Sequence, residues 1–226
     1  MGQIVQLTAS DGHQLSAYLA EPADAPRGAV VVIQEIFGVN SHIRSVADRW
    51  AAEGYLALAP ALFDRQERGI ELGYSDADMQ RGFGLMQAAG LDTPLLDIEA
   101  ARAELHRRVG AAGKVGVLGF CWGGLLSWLS ACKLPGFSAA VPYYGGGIPN
   151  HAALKPQCPV LAHFGERDHW IPTDSLQAFA AAQPGVQVHI YAADHGFNCD
   201  QRGSYDAAAA QLARERSIAF LKQHLG

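Results

Sequence analysis

The sequence predicts an α/β fold with a doubly wound, mostly parallel sheet and an N-terminal antiparallel hairpin, and three observations support it. The first is a set of short, continuous apolar or β-branched runs such as "AVVVIQ" (29–34), the pattern of strands buried on both faces. The second is their alternation with segments whose apolar residues recur at helical spacing, which implies right-handed βαβ crossovers. The third is size and balance. At 226 residues, 49% hydrophobic and only 17% charged, the chain suits one core covered by helices, so a single domain over 1–226 is expected.

The stretches "QIVQLTA" and "HQLSAYLA" alternate apolar with polar residues around Asp11-Gly12, a pair that tolerates the positive φ of a tight turn. They predict two antiparallel edge strands. The core strand "AVVVIQ" follows, and "SHIRSVADRWAAEG" then sets Ile43, Val46, Ala47, Trp50 and Ala51 on one helix face before stopping at Gly54. "YLALAP" restores a strand. The segment from Leu62 to Gly90 has no strand pattern and is expected to cover one end of the sheet as loop and helix. Thereafter come a helix within Thr93 to Val109, strand "KVGVLG", a helix after Gly123, strands "SAAVPYY" and "PVLAHFG", a helix after Thr173, strand "VQVHIYAA", and a closing helix from about Ser204.

Composition excludes several classes. The formal net charge is −5 with basic residues scattered among acidic ones, so no positive stripe is available for a nucleic-acid backbone. No stretch reaches the roughly 18 apolar residues that span a bilayer, and the start lacks a basic region leading into an apolar run. A cytoplasmic protein without membrane partners is expected. In that compartment Cys121, Cys132, Cys158 and Cys199 are expected to be free thiols. No H-x-x-x-H or C-x-x-C spacing occurs, so no metal site is expected.

One short frame carries chemistry. Gly119-Phe120-Cys121-Trp122-Gly123 joins a strand to a helix and matches G-x-nucleophile-x-G, the nucleophile elbow, with cysteine at its centre. The sharp turn strains the central residue and crowds the positions two residues to either side, which is why glycine stands there. The helix N-terminus beyond it stabilises a thiolate or an oxyanion, and the Trp122 N–H is a natural donor.

An elbow nucleophile needs a histidine and an acid to orient it, in chain order nucleophile, acid, histidine. Asp168 follows strand "PVLAHFG" and His195 follows "VQVHIYAA", both at strand carboxyl ends where ligands gather in such sheets. Glu166 and Asp174 are rival acids. His163, inside a strand, and His169 are rival histidines with a more structural setting. Glu35 ends the buried run "VVVIQ", where a carboxyl group is costly without a partner and therefore marks a functional site. The neighbouring Ile36 N–H is the expected second oxyanion donor.

The blocks "QEIFGVN" (34–40), "GFCWGG" (119–124), "YYG" (143–145), "RDHWIP" (167–172) and "DHGFN" (194–198) resemble, in order and across nearly the whole chain, those of the dienelactone hydrolase family. The resemblance implies a monomeric α/β-hydrolase fold and carboxymethylenebutenolidase-type cleavage of a small lactone or ester, without metal or organic cofactor. It assigns Cys121 as nucleophile, His195 as base, Asp168 as its orienter, and Glu35 as the carboxylate that pairs with the resting thiol and assists its deprotonation. A thiol in water is only a few per cent ionised at neutral pH, so some neighbour must take its proton.

Family members that cleave dienelactone hold the substrate carboxylate with two arginines. Arg81 and Arg202 lie in the corresponding segments, while an ungapped alignment puts Met79 and Cys199 at those places. Phe37, Phe63, Tyr143 and Tyr144 are candidate pocket walls. Two other readings remain open: a promiscuous esterase or thioesterase acting on neutral esters, and a non-catalytic redox-sensing or binding protein that uses Cys121.

Overall fold

A computed structural model describes residues 2–226. Eight strands form one sheet in the order β1-β2-β4-β3-β5-β6-β7-β8. The hairpin of β1 (Gln3–Thr8) and β2 (Gln14–Ala20) turns at Asp11-Gly12, with Gly12 at φ +86°. β2 also pairs antiparallel with β4 (Tyr55–Pro60), so of the hairpin's two strands only β1 is an edge strand, and the expectation of two is corrected. The reason is local: the alternation of β2 ends at "AYLA", where four consecutive residues are buried, as an interior strand requires.

From β4 onward every pairing is parallel: β3 (Gly28–Ile33) against β4 and β5 (Val115–Phe120), then β6 (Ala139–Tyr143), β7 (Leu161–Gly165) and β8 (Gln187–Tyr191). β3 sits at the centre, and Val30, Val31, Val32 and Ile33 are wholly buried. Burying a side chain of this kind contributes about 1.5–3 kcal/mol.

The helices cover both faces. Ala29, Val31 and Ile33 point to one core layer, completed by α3 (Asp92–Val109), α4 (Trp122–Lys133) and α5 (Thr173–Ala182) through Ile98, Leu126 and Phe179. Val30 and Val32 point to the other, closed by α1 (Ser41–Ala52) and α6 (Ala207–Leu225) through Ile43, Trp50 and Phe220. The period-two strand pattern thus feeds two different helix layers. α6 starts at Ala207, a little later than expected, because the Asp206 carboxylate caps it by accepting from Ala209 N at 3.0 Å.

The segment expected to lie over the sheet as loop and helix contains α2 (Asp76–Ala89), opened by a capping box in which Ser75 and Asp78 satisfy each other's backbone N–H groups. Just before it, Arg65 forks between the wholly buried Asp97 on α3 at 2.7 and 2.8 Å and Asp11 at 2.7 Å, tying the hairpin turn to the helix layer. No helix among the described residues is long and apolar enough to cross a membrane.

Candidate active site

β5 delivers Cys121 into a backbone conformation that L residues rarely adopt, φ 56° and ψ −118°. Such a residue stores about 1–3 kcal/mol and persists only where its surroundings hold it. Three glycines let them do so. A Cβ on Gly119 would lie 2.2 Å from the Gly123 carbonyl oxygen, one on Gly123 2.4 Å from that of Gln34, and one on Gly124 2.4 Å from that of Tyr143. The elbow is therefore wedged between the ends of β3 and β6. The Cys121 N–H donates to the Tyr143 carbonyl, and its own carbonyl accepts from Gly124 and Leu125, starting α4. The N–H groups of Ile36 and Trp122 donate to no protein acceptor among the described residues, and both residues line the cavity beside Cys121. They are free to receive an oxyanion.

His195 and Asp168 stand on the loops after β8 and β7. Those loops are laced together by Glu166 N to Tyr191 O at 2.7 Å and Arg167 N to Ala193 O at 3.0 Å. His195 Nδ1 meets Asp168 Oδ2 at 2.7 Å, and Asp168 Oδ1 accepts from Trp170 N at 2.8 Å, so both acid oxygens are engaged. This leaves Nε2 to face the thiol. Burial by itself lowers the His195 pKa; the charge of the Cys121 sulfur, hydrogen bonds with Asp168 and Cys121, and the Asp168 charge outweigh it and push it up to about 10. The raised pKa keeps the imidazole protonated through the neutral range, beside the Cys121 sulfur. The rivals lie elsewhere: Glu166, Asp174 and His169 are exposed, and His163 is a buried core group between Tyr191 and Ser217 at 2.8 and 2.9 Å.

Glu35 is 1% exposed, as its position after β3 foreshadows, but its partner differs from expectation. Oε1 accepts from Arg202 Nη1 at 3.1 Å, and Oε2 has no partner among the described residues, so the resting thiol is not hydrogen-bonded to Glu35. The physical reason is Arg202, whose side chain is 14% exposed and whose guanidinium packs over the rings of Phe37 and Tyr74 at 5.7 and 5.9 Å. Gly196, next to His195, makes room for it: a Cβ there would lie 2.6 Å from Arg202 Nη1.

Beside this pair, ligand-type atoms of Glu35, His42 and Cys199 lie within 4.8 Å of one another, all buried, a grouping that spacing along the chain does not reveal. Burial lowers the His42 pKa and raises the Cys199 thiol to about 11, so both are neutral and Arg202 supplies the positive charge that Glu35 requires.

Cys121 and His195 open into a cavity of about 430 Å³. Of the expected wall residues, Phe37 lines it and Phe63 stands behind it, stacked on Trp122 at 5.3 Å. Tyr144, at φ 36°, backs the His195 ring at 5.2 Å. Tyr143 does not reach it: β6 turns that side chain into the α6 layer, where its hydroxyl meets Ser217 at 2.7 Å. Arg81 is also misplaced by the sequence reading. It is half exposed, paired with Glu67 at 2.7 Å, and absent from the lining, because the inner face of α2 is occupied by Met79, Phe83 and Met86. The 79, 83, 86 spacing was the available sign of that face. Trp170 at the mouth, 64% exposed and 5.8 Å from Phe83, was likewise unforeseen as a wall.

The chain is similar to known proteins over most of its length. The profile of the dienelactone hydrolase family matches residues 15–225. A carboxymethylenebutenolidase from Pseudomonas putida is 36% identical over 225 residues, covering 96% of this chain and 94% of the relative. A Synechocystis protein assigned the same name is 41% identical over 220 residues, 90% of this chain and 89% of the relative. Among solved structures, a protein of Klebsiella pneumoniae assigned as a dienelactone hydrolase superposes with a TM-score of 0.82 at 33% identity, covering 98% of this chain and 99% of that one.

Proposed function

Because this chain belongs to the dienelactone hydrolase family, a carboxymethylenebutenolidase-like group of hydrolases, we propose that it cleaves a small lactone or carboxylic ester through Cys121 and a thioester acyl-enzyme. One observation carries the reading: a strained cysteine at a helix N-terminus faces a histidine held at 2.7 Å by a buried aspartate.

The Cys121 thiolate attacks the carbonyl carbon, and the carbonyl electrons move to oxygen, where the Ile36 and Trp122 N–H groups receive them. One such donor is worth about 3–4 kcal/mol of barrier. The intermediate collapses, breaking the carbon–oxygen bond, and the His195 imidazolium gives its proton to the departing alkoxide. For a lactone that alkoxide stays tethered to the acyl group. Acylation removes the negative charge from sulfur, and with it the largest influence holding the His195 pKa up against burial. The imidazole, kept in orientation by Asp168, then takes a proton from water, which attacks the thioester; the carbon–sulfur bond breaks, the acid leaves, and the Cys121 thiolate and protonated His195 are restored. In this scheme Glu35 acts by holding Arg202 rather than by taking the thiol proton. The chain works as a single-domain cytoplasmic monomer.

Incubation with p-nitrophenyl esters tests the proposal. Cys121→Ala should lower kcat by about 10⁴-fold or more, and mass spectrometry of quenched wild type should show an acyl adduct on the peptide containing Cys121. Wild-type turnover in the variant would refute it, and a reactive Cys121 without any turnover would favour a redox sensor.

A further inference from the structure

Among the described residues the cavity lining holds two basic side chains, and each already has an acidic partner, Asp168 for His195 and Glu35 for Arg202. Arg202 Nη1 lies 3.1 Å from Glu35 Oε1, and its face is covered by Phe37 and Tyr74. Arg81, the other expected carboxylate clamp, is committed to Glu67 outside the cavity. The position facing inward from the same helix is Met79, followed by Phe83 and Met86. Leu125 and Trp170 line the cavity as well, so apart from the Gln87 amide the reacting groups look into a wall of carbon and sulfur.

A carboxylate entering this space would lose its water, meet no unpaired cation, and approach a second carboxylate whose Oε2 is already buried without a partner among the described residues. A neutral ester meets none of these penalties and gains the contact of apolar walls, and the exposed indole of Trp170 at the mouth extends the same surface outward. Resting on the hydrolase reading above, we infer that the site selects neutral esters or lactones with an apolar body over carboxylate-bearing ones of the same length. Glu35, by masking Arg202, is a specificity-determining residue.

The experiment compares p-nitrophenyl hexanoate with mono-p-nitrophenyl adipate, which have the same acyl carbon count, after subtracting spontaneous hydrolysis. The neutral ester should show kcat/KM about 100-fold or more above the anionic one, mainly through KM. Met79→Arg, with Met79→Lys as a second variant, should move that ratio about 10-fold or more toward the anionic ester. Equal or reversed preference in wild type, with both activities lost in Cys121→Ala, would overturn the selectivity while leaving the hydrolase intact; it would mean that a substrate carboxylate displaces Glu35 from Arg202. Turnover that survives Cys121→Ala would instead remove the catalytic reading and this inference with it.

Discussion

The pairing of Cys121 with His195 can be measured directly, by replacing the sulfur and titrating the ring. Burial alone would hold the imidazole neutral, yet the sulfur charge and Asp168 carry its pKa from 6.5 to about 10. That difference corresponds to roughly 5 kcal/mol in favour of the imidazolium. Two of the raising influences come from Cys121 and two from Asp168, so Cys121→Ala should leave Asp168 alone against burial. The His195 pKa should then fall by roughly two pH units or more.

The sign follows from which form is stabilised. A raised histidine stays protonated throughout the neutral range and loses its proton only as pH climbs through about 10, so the leaving group keeps its acid until then. Long-range nitrogen–proton NMR of 15N-histidine protein reads the ring state of both proteins between pH 5 and 11. Absorbance near 240 nm reports the thiolate, and the alkaline limb of kcat/KM should coincide with the ring titration. If His195 titrates near 6.5 in wild type, or at the same pH in wild type and Cys121→Ala, the ion-pair account is wrong.

Two further outcomes follow from buried charge elsewhere. Arg65→Met leaves the wholly buried Asp97 without its fork of hydrogen bonds, and urea unfolding should show a loss of about 3–5 kcal/mol; a loss within error would mean that Asp97 is protonated or rehydrated at no cost. His163 is wholly buried and its pKa is pushed well below 6.5, chiefly by burial, so its folded state resists protonation. Its stability contribution is therefore complete above pH 6.5 and declines as pH falls below it, by up to about 1.4 kcal/mol per pH unit. His163→Gln should flatten the acid side of the stability profile, and an unchanged slope would contradict this.

Much of the fold can be read from the chain because burial pattern is local. The β-branched run of β3 is continuous since both its faces are covered, and the alternation of strand and helix dictates parallel crossovers. The elbow is legible for the same kind of reason: Gly119 and Gly123 stand where a Cβ would strike backbone, and few other needs explain glycine at both places. The order Cys121, Asp168, His195 at strand ends was enough to point to a set of groups that the fold brings together.

The partner choices were not legible, because they depend on which long side chains reach across space. Glu35 takes Arg202 rather than the thiol, a contact spanning 167 positions that requires the loop after β8 to fold over the end of β3. Arg81 turns outward and Met79 inward by their angle around α2, and Tyr143 enters the core because β6 presents that face to α6. Periodicity specifies that a residue is buried; the twist of the sheet and the packing of loops at its carboxyl edge decide what it is buried against. The chain alone thus determined which segments form the buried strands and where the elbow lies, whereas the order of the strands and the apolar, charge-neutralised character of the cavity came from tertiary contacts.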